Sequence, residues 1–173
     1  MPHPAPSPCP SPNGPLHWEP AVSQLRDLNA DELHAVVVPW LSALDLAPVR
    51  LCTREARCTT YQVLLGERSF CLPLHVRIYQ RKNRLQAHHV EAFIGYLVHS
   101  GIPAGVLITT GDCSREARQL ASELTSPRIR ILSGNEWAAE LAAQKVGLRQ
   151  RGLWRWIVDV TGSQPGARGR RSQ

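Results

Sequence analysis

Residues Gly105-Val-Leu-Ile-Thr109 constrain the fold of this chain more than any other stretch. They run without a charge and without the polar alternation of a half-solvated strand, which is the pattern of a strand buried on both faces. Such a strand needs a sheet with helices packed on either side, and helical stripes flank it. Asn29-Ala-Asp-Glu32 reads as an N-cap with a glutamate three residues on, followed by Leu33, Val36, Val37, Trp40, Leu41 and Leu44 at helical spacing. Pro39 inside this stripe predicts a kink or a split, because proline removes one helical hydrogen bond. Val90, Phe93, Ile94, Leu97 and Val98 form a second stripe, with Gly101 as its stop. Ser114 caps a short helix through Leu124, and Ser133-Gly-Asn-Glu136 is a capping box opening a helix through about Val146.

Strand-like stretches fill the intervals at 49–52, 59–65, 72–80 and 128–132, with Gly66-Glu67-Arg68 as a turn between the second and third. In the third, Leu72, Leu74, Val76 and Ile78 face one side, and His75, Arg77 and Tyr79 the other. The order α-β-β-β-α-β-α-β-α predicts a three-layer α/β domain with a mixed central sheet that begins as an antiparallel meander.

Composition bounds the rest. Apolar residues make up 43% and charged residues 20%, too much core and too little charge for wholesale disorder. The longest apolar runs are far below the roughly 20 residues a membrane helix needs, so no membrane association is expected. Five cysteines, an odd number without a C-x2-4-C pair, argue against both a disulfide scaffold and a thiolate zinc site. A soluble, reducing, cytoplasmic setting is the expectation. Eight prolines fall in the first twenty residues, so 1–20 is expected to be a disordered Pro-rich arm, 21–148 the domain and 149–173 a basic tail. Leu153–Val160 fits either a further strand or a docking segment.

The net charge of +6 is unevenly spread. From Arg149 onward six arginines face one aspartate, Asp159, which leaves the preceding residues nearly neutral. Inside the domain, Arg68 to Val90 holds five basic residues, three histidines and no carboxylate, a footprint suited to a polyanion. His88 and His89 are adjacent, so on a helix they point about 100° apart and do not chelate one ion together. The Thr109-Thr110-Gly111-Asp112 turn lacks the glycine spacing of a phosphate loop and reads as a helix-capping loop.

Gln80-Arg81-Lys82 closes the third strand. On a strand, residues two apart share a face, so Gln80 and Lys82 would present an oxygen ligand and an ammonium together, the pair that metal-dependent phosphodiester cleavage uses. The surroundings strengthen this. A capped helix, a meander ending in Q-x-K, a helix with Val90-Glu91 and Gly95, and then Thr109-Thr110-Gly111 leading to Ser114, Glu116, Ala117 and Arg118 together resemble the Mrr-like branch of the restriction-endonuclease fold. Ile131-Leu-Ser-Gly134 and Trp137-Ala-Ala-Glu-Leu141 match its closing strand, glycine and Leu-rich helix, and the resemblance spans about residues 29 to 146.

The resemblance implies a DNA endonuclease or its non-cleaving relative, a pseudo-nuclease. If active, it would use Mg2+, with Gln80 as ligand, Glu67, Glu55 or Glu32 as a candidate further ligand, and Lys82 as electrostatic stabiliser. Arg77, Arg81, Arg84 and His88 would hold DNA. One departure bears on activity: the family's aspartate on the preceding strand is missing from Arg57-Cys-Thr-Thr-Tyr-Gln62, where Thr59 or Thr60 stands in its place. The alternative is a catalytically inactive scaffold that kept the fold, using Trp154 and Trp156 against a protein partner or a second copy.

Overall fold

The computed structural model describes residues 18–46, 49–55, 57–65, 72–150 and 156–160. Two helices open it. Pro20 sits in the first turn of α1 (Glu19–Asp27), where its missing N–H costs nothing. After a two-residue link, Asn29 caps α2 (Ala30–Ala43): its side chain accepts from the Asp31 and Glu32 amides, and the Glu32 carboxylate accepts from the Asn29 N–H at 2.9 Å. The helix α2 runs through Pro39 without splitting. Val36, Val37, Trp40 and Leu41 are buried around the proline, and their packing outweighs the single lost backbone bond.

The sheet follows. Strands β1 (Arg50–Glu55), β2 (Cys58–Leu65) and β3 (Leu72–Tyr79) form the antiparallel meander. The helix α3 (Ala87–His99) returns the chain to β4 (Ala104–Thr109), parallel to β3, and α4 (Arg115–Glu123) leads to β5 (Arg128–Leu132), parallel to β4. The five strands lie in the order β1-β2-β3-β4-β5. After α5 (Gly134–Ala143), β6 (Leu148–Gln150) and β7 (Trp156–Val158) pair as a separate antiparallel ribbon.

Alternation along the strands sorts the core into two layers. Tyr61, Val63, Leu74, Val76, Ile78, Ile108 and Leu132 pack with α1, α2 and α5 on one face. Tyr79, Leu107 and Ile131 pack with α3 and α4 on the other. The expected three-layer α/β architecture with a mixed central sheet is therefore present.

The domain edges differ from the expectation. Trp18, Glu19 and Pro20 belong to the folded part, because the indole of Trp18 is buried 5.3 Å from that of Trp156. The Val158 amide donates to Gln24 at 2.8 Å, so the ribbon that begins at Leu148 is fastened to α1. The helix α1 and the β6–β7 ribbon are thus additions to the expected element order. The strand β7 falls within Leu153–Val160, where a further strand was one of the two expected readings. The helix α1 and the strand β6 escape sequence reading because each is short and stabilised by contacts across the length of the chain. Residues 1–17, the turn at 66–68 with Glu67, Trp154 and the tail from 161 lie outside the described residues.

Candidate nucleic-acid interface

The end of β3 is held by the turn that follows β4. The Thr110 amide donates to the Tyr79 carbonyl, and the Thr110 hydroxyl donates to the Arg81 carbonyl at 3.0 Å. The hydroxyl of Thr109 accepts from the Gly111 amide, closing the turn on itself. A Cβ on Gly111 would lie 2.7 Å from the Asn83 carbonyl and 3.0 Å from that of Arg81, so only glycine lets the loop after β3 rest on this turn. Gly134 meets the other side, where a Cβ would fall 2.8 Å from the Thr110 carbonyl. Leu85 then bridges to Cys113, fixing both ends of residues 80–85.

The rest of the signature is also scaffold. Ser114 caps α4 by accepting from Ala117. Arg118 makes a two-pronged pair with Glu136, at 3.2 and 2.9 Å, and so ties α4 to α5. Burial pushes the Glu136 carboxyl up, but its bonds from Arg118 and Ser133 outweigh this and hold it below the ordinary carboxylate range.

Gln80 lies beyond the last strand residue and is only 7% exposed. Its backbone N–H still donates to Arg57. Its side-chain Nε2 donates to the carbonyls of Leu25 at 3.1 Å and Leu28 at 2.9 Å, with Arg26 at 3.4 Å. Three carbonyls can only accept, so this environment sets which end of the amide faces α1. Gln80 serves as a side-chain cap for the orphan carbonyls of that helix. Lys82 is exposed and off the strand, and strand alternation, which would have set it beside Gln80, ends at Tyr79.

The strand register decides which threonine takes the aspartate's place. Thr59 pairs with Ile78 and Thr60 with Arg77, so Thr59 shares the face of Ile78 that leads to Gln80. Thr59 is 4% exposed, and Thr60 accepts on the opposite face from Arg77 Nε at 3.1 Å.

These residues do not fit a divalent cation. The oxygens on offer are a threonine hydroxyl and a glutamine amide already oriented by a helix end, with no negative charge between them. Glu32 is engaged in its cap and Glu55 is exposed on the edge strand. Among the described residues, no three His, Cys, Asp or Glu side chains come together to hold a metal.

The cations divide. Arg77 points to the α3 face, its guanidinium 4.4 Å from the centre of the Tyr96 ring and 5.2 Å from that of Phe93, a packing role away from Gln80. Arg81, Arg84 and His88 come together with His89 around a cleft of about 440 Å³, also lined by Asn83, Leu85, Gln86 and Thr109. Among the described residues, no carboxylate lines it. The Arg81 guanidinium lies 5.2 Å from the Tyr79 ring centre, and the His89 ring meets the same tyrosine edge-on at 5.6 Å. His89 was the residue missing from the expected set. Its signal was the spacing Gln86-x-x-His89, a capping box in which an imidazole takes the place of glutamate.

Comparison with known proteins gives three findings. Residues 65–141 match the family model Mrr_cat, described as a restriction endonuclease. No curated protein matches. Among solved structures, the DNA modification-dependent restriction endonuclease AspBHI is similar at TM-score 0.49 and 20% identity, over 72% of this chain and 34% of that one. The MspJI restriction endonuclease in complex with a 27-mer oligonucleotide is similar at TM-score 0.41 and 17% identity, over 78% and 35%. This chain spans about a third of the length of either. No helix among the described residues is long and apolar enough to cross a membrane.

Proposed function

We propose that this domain, restriction-endonuclease-like across residues 65–141, binds the DNA backbone without cleaving it. The observation that carries the reading is the missing charge: Thr59 stands on the face that leads to Gln80, and Gln80 is a neutral amide whose Nε2 is held by the carbonyls of Leu25, Arg26 and Leu28. Phosphodiester hydrolysis assisted by a metal needs hard, anionic oxygens to hold the ion. Thr59 and Gln80 supply neutral oxygens and no charge to hold the ion. Mg2+ therefore has no part in this reading, and Lys82 is left as an exposed phosphate contact.

Binding is supported by the cleft of Arg81, Arg84, His88 and His89, which no carboxylate lines among the described residues. Phosphate contacts of this kind position a duplex without reading its sequence. The unpaired thiols of Cys52, Cys58 and Cys113 fit a reducing compartment such as the cytoplasm. The rival reading, a partner-binding scaffold, has less support, because Trp156 packs on Trp18 within the chain.

The test is duplex binding by the full chain, followed by fluorescence anisotropy in EDTA over a range of salt. Affinity falls steeply with salt, and Arg84→Gln lowers the log-log slope by about 0.9 for the phosphate contact it removes. Binding that appears only when a divalent metal is added would contradict the reading.

A further inference from the structure

Within the cleft, two donors approach one imidazole, which when neutral can accept from only one of them. The Gln86 backbone N–H donates to His89 Nδ1 at 3.2 Å, and Arg81 Nη1 lies 2.8 Å from His89 Nε2. A neutral imidazole has one acceptor nitrogen, and a guanidinium only donates. If Nδ1 receives the Gln86 N–H, Nε2 carries the proton and faces the Arg81 N–H donor to donor. The other tautomer leaves the Gln86 amide without its partner, and protonating both nitrogens leaves two donors opposed. Every state of the ring leaves at least one donor in want of an acceptor from outside the ring.

The surroundings say what kind of acceptor fits. Arg81, Arg84 and His88 line the same cleft and, among the described residues, no carboxylate does, so an anion is favoured over water. The Tyr79 ring lies against both the Arg81 guanidinium and the His89 imidazole, limiting how far either can swing away. The rings of His88 and His89, both on the first turn of α3, lie 3.9 Å apart and both line the cleft. An anion with several oxygens can accept from the guanidinium and from the imidazole N–H at once.

We propose that Arg81 and His89 form a phosphate-binding site, in which Arg81 Nη1–H and His89 Nε2–H donate to oxygens of one phosphate group while Gln86 keeps its bond to Nδ1. The phosphate is that of a DNA backbone or a free phosphate. Only the first source rests on the function proposed above.

The experiment uses the 15N-labelled full chain and follows the imidazole nitrogens of His89 by NMR. Inorganic phosphate shifts the Nε2 resonance in a saturable way, and Arg81→Gln, a change at an exposed side chain, weakens that binding about tenfold or more. No shift at His89, or unchanged phosphate affinity in Arg81→Gln, overturns the site. A short duplex then assigns the source. If it moves the same resonance and competes with phosphate, the backbone is the ligand. If it binds without moving His89, the site takes free phosphate. If it does not bind while phosphate does, the site stands and the DNA reading falls.

Discussion

The side-chain amide of Gln80 donates to the Leu28 carbonyl at 2.9 Å, across 52 positions of sequence. It joins the end of β3 to the end of α1. The last carbonyls of a helix lack partners within it, and a buried helix end without donors is costly. A residue that the sequence marks for metal chemistry gives its amide nitrogen to the end of a neighbouring helix.

Substitution at this position separates the two roles. Gln80→Ala removes the donor from three carbonyls and is expected to cost about 1–3 kcal/mol in urea unfolding. Gln80→Glu should cost at least as much at neutral pH, because a carboxylate cannot donate to carbonyls and is repelled by the negative helix end. A glutamate variant as stable as the parent would mean that position 80 does not serve as a donor.

The tryptophan pair sets where the fold begins. A chain starting at Trp18 should melt like the full one, whereas one starting at Ala21 loses the Trp18–Trp156 contact. Trp18→Ala in the full chain is expected to cost about 3 kcal/mol, in keeping with large-to-small changes at buried tryptophans. Thermal melts of the three forms decide it, and equal midpoints would show that the indole is not part of the core.

Gly111→Ala places a methyl group against the Asn83 and Arg81 carbonyls. The loop must move, so both stability and duplex affinity should fall, by about 1–3 kcal/mol in the first. A stable variant with unchanged affinity would show that the turn does not position the basic loop.

Acid should destabilise the protein before its carboxylates titrate. Burial, followed by the charge of Arg77, holds the His75 pKa below its ordinary value, and burial, His88 and Arg81 do the same for His89. The unfolded chain therefore binds protons more readily than the native one near pH 6.5. Stability is full above that pH, declines as pH falls through it, and levels off once the folded histidines are charged. His75→Phe should flatten part of this slope in melts between about pH 5 and 7.5. An unchanged slope would assign the effect elsewhere.

Much of the fold was legible because its signals are local. Asn29 and Ser133 announce their helices through capping boxes, and the uncharged run at 105–109 announces the buried strand. The Thr109–Arg118 motif was legible as a signature, but its meaning was not. Its hydroxyls, glycine and arginine hold the loop after β3 and bind α4 to α5, contacts that depend on elements distant in sequence. The site was the least legible part. Alternation placed Gln80 and Lys82 on one face only so long as the strand continued, and it stops at Tyr79. Nothing near Gln80 in sequence reveals that α1 will arrive beside it, since α1 is held there by a ribbon from the far end of the chain.

The most direct test of the account is supercoiled-plasmid nicking by the full chain at concentrations where the plasmid is bound, with Mg2+ or Mn2+ supplied. The account predicts bound but uncut plasmid, and no difference between the parent and Lys82→Ala. Metal-dependent nicking that disappears in Lys82→Ala would contradict it, and would mean that neutral oxygens such as that of Gln80 suffice to hold the ion.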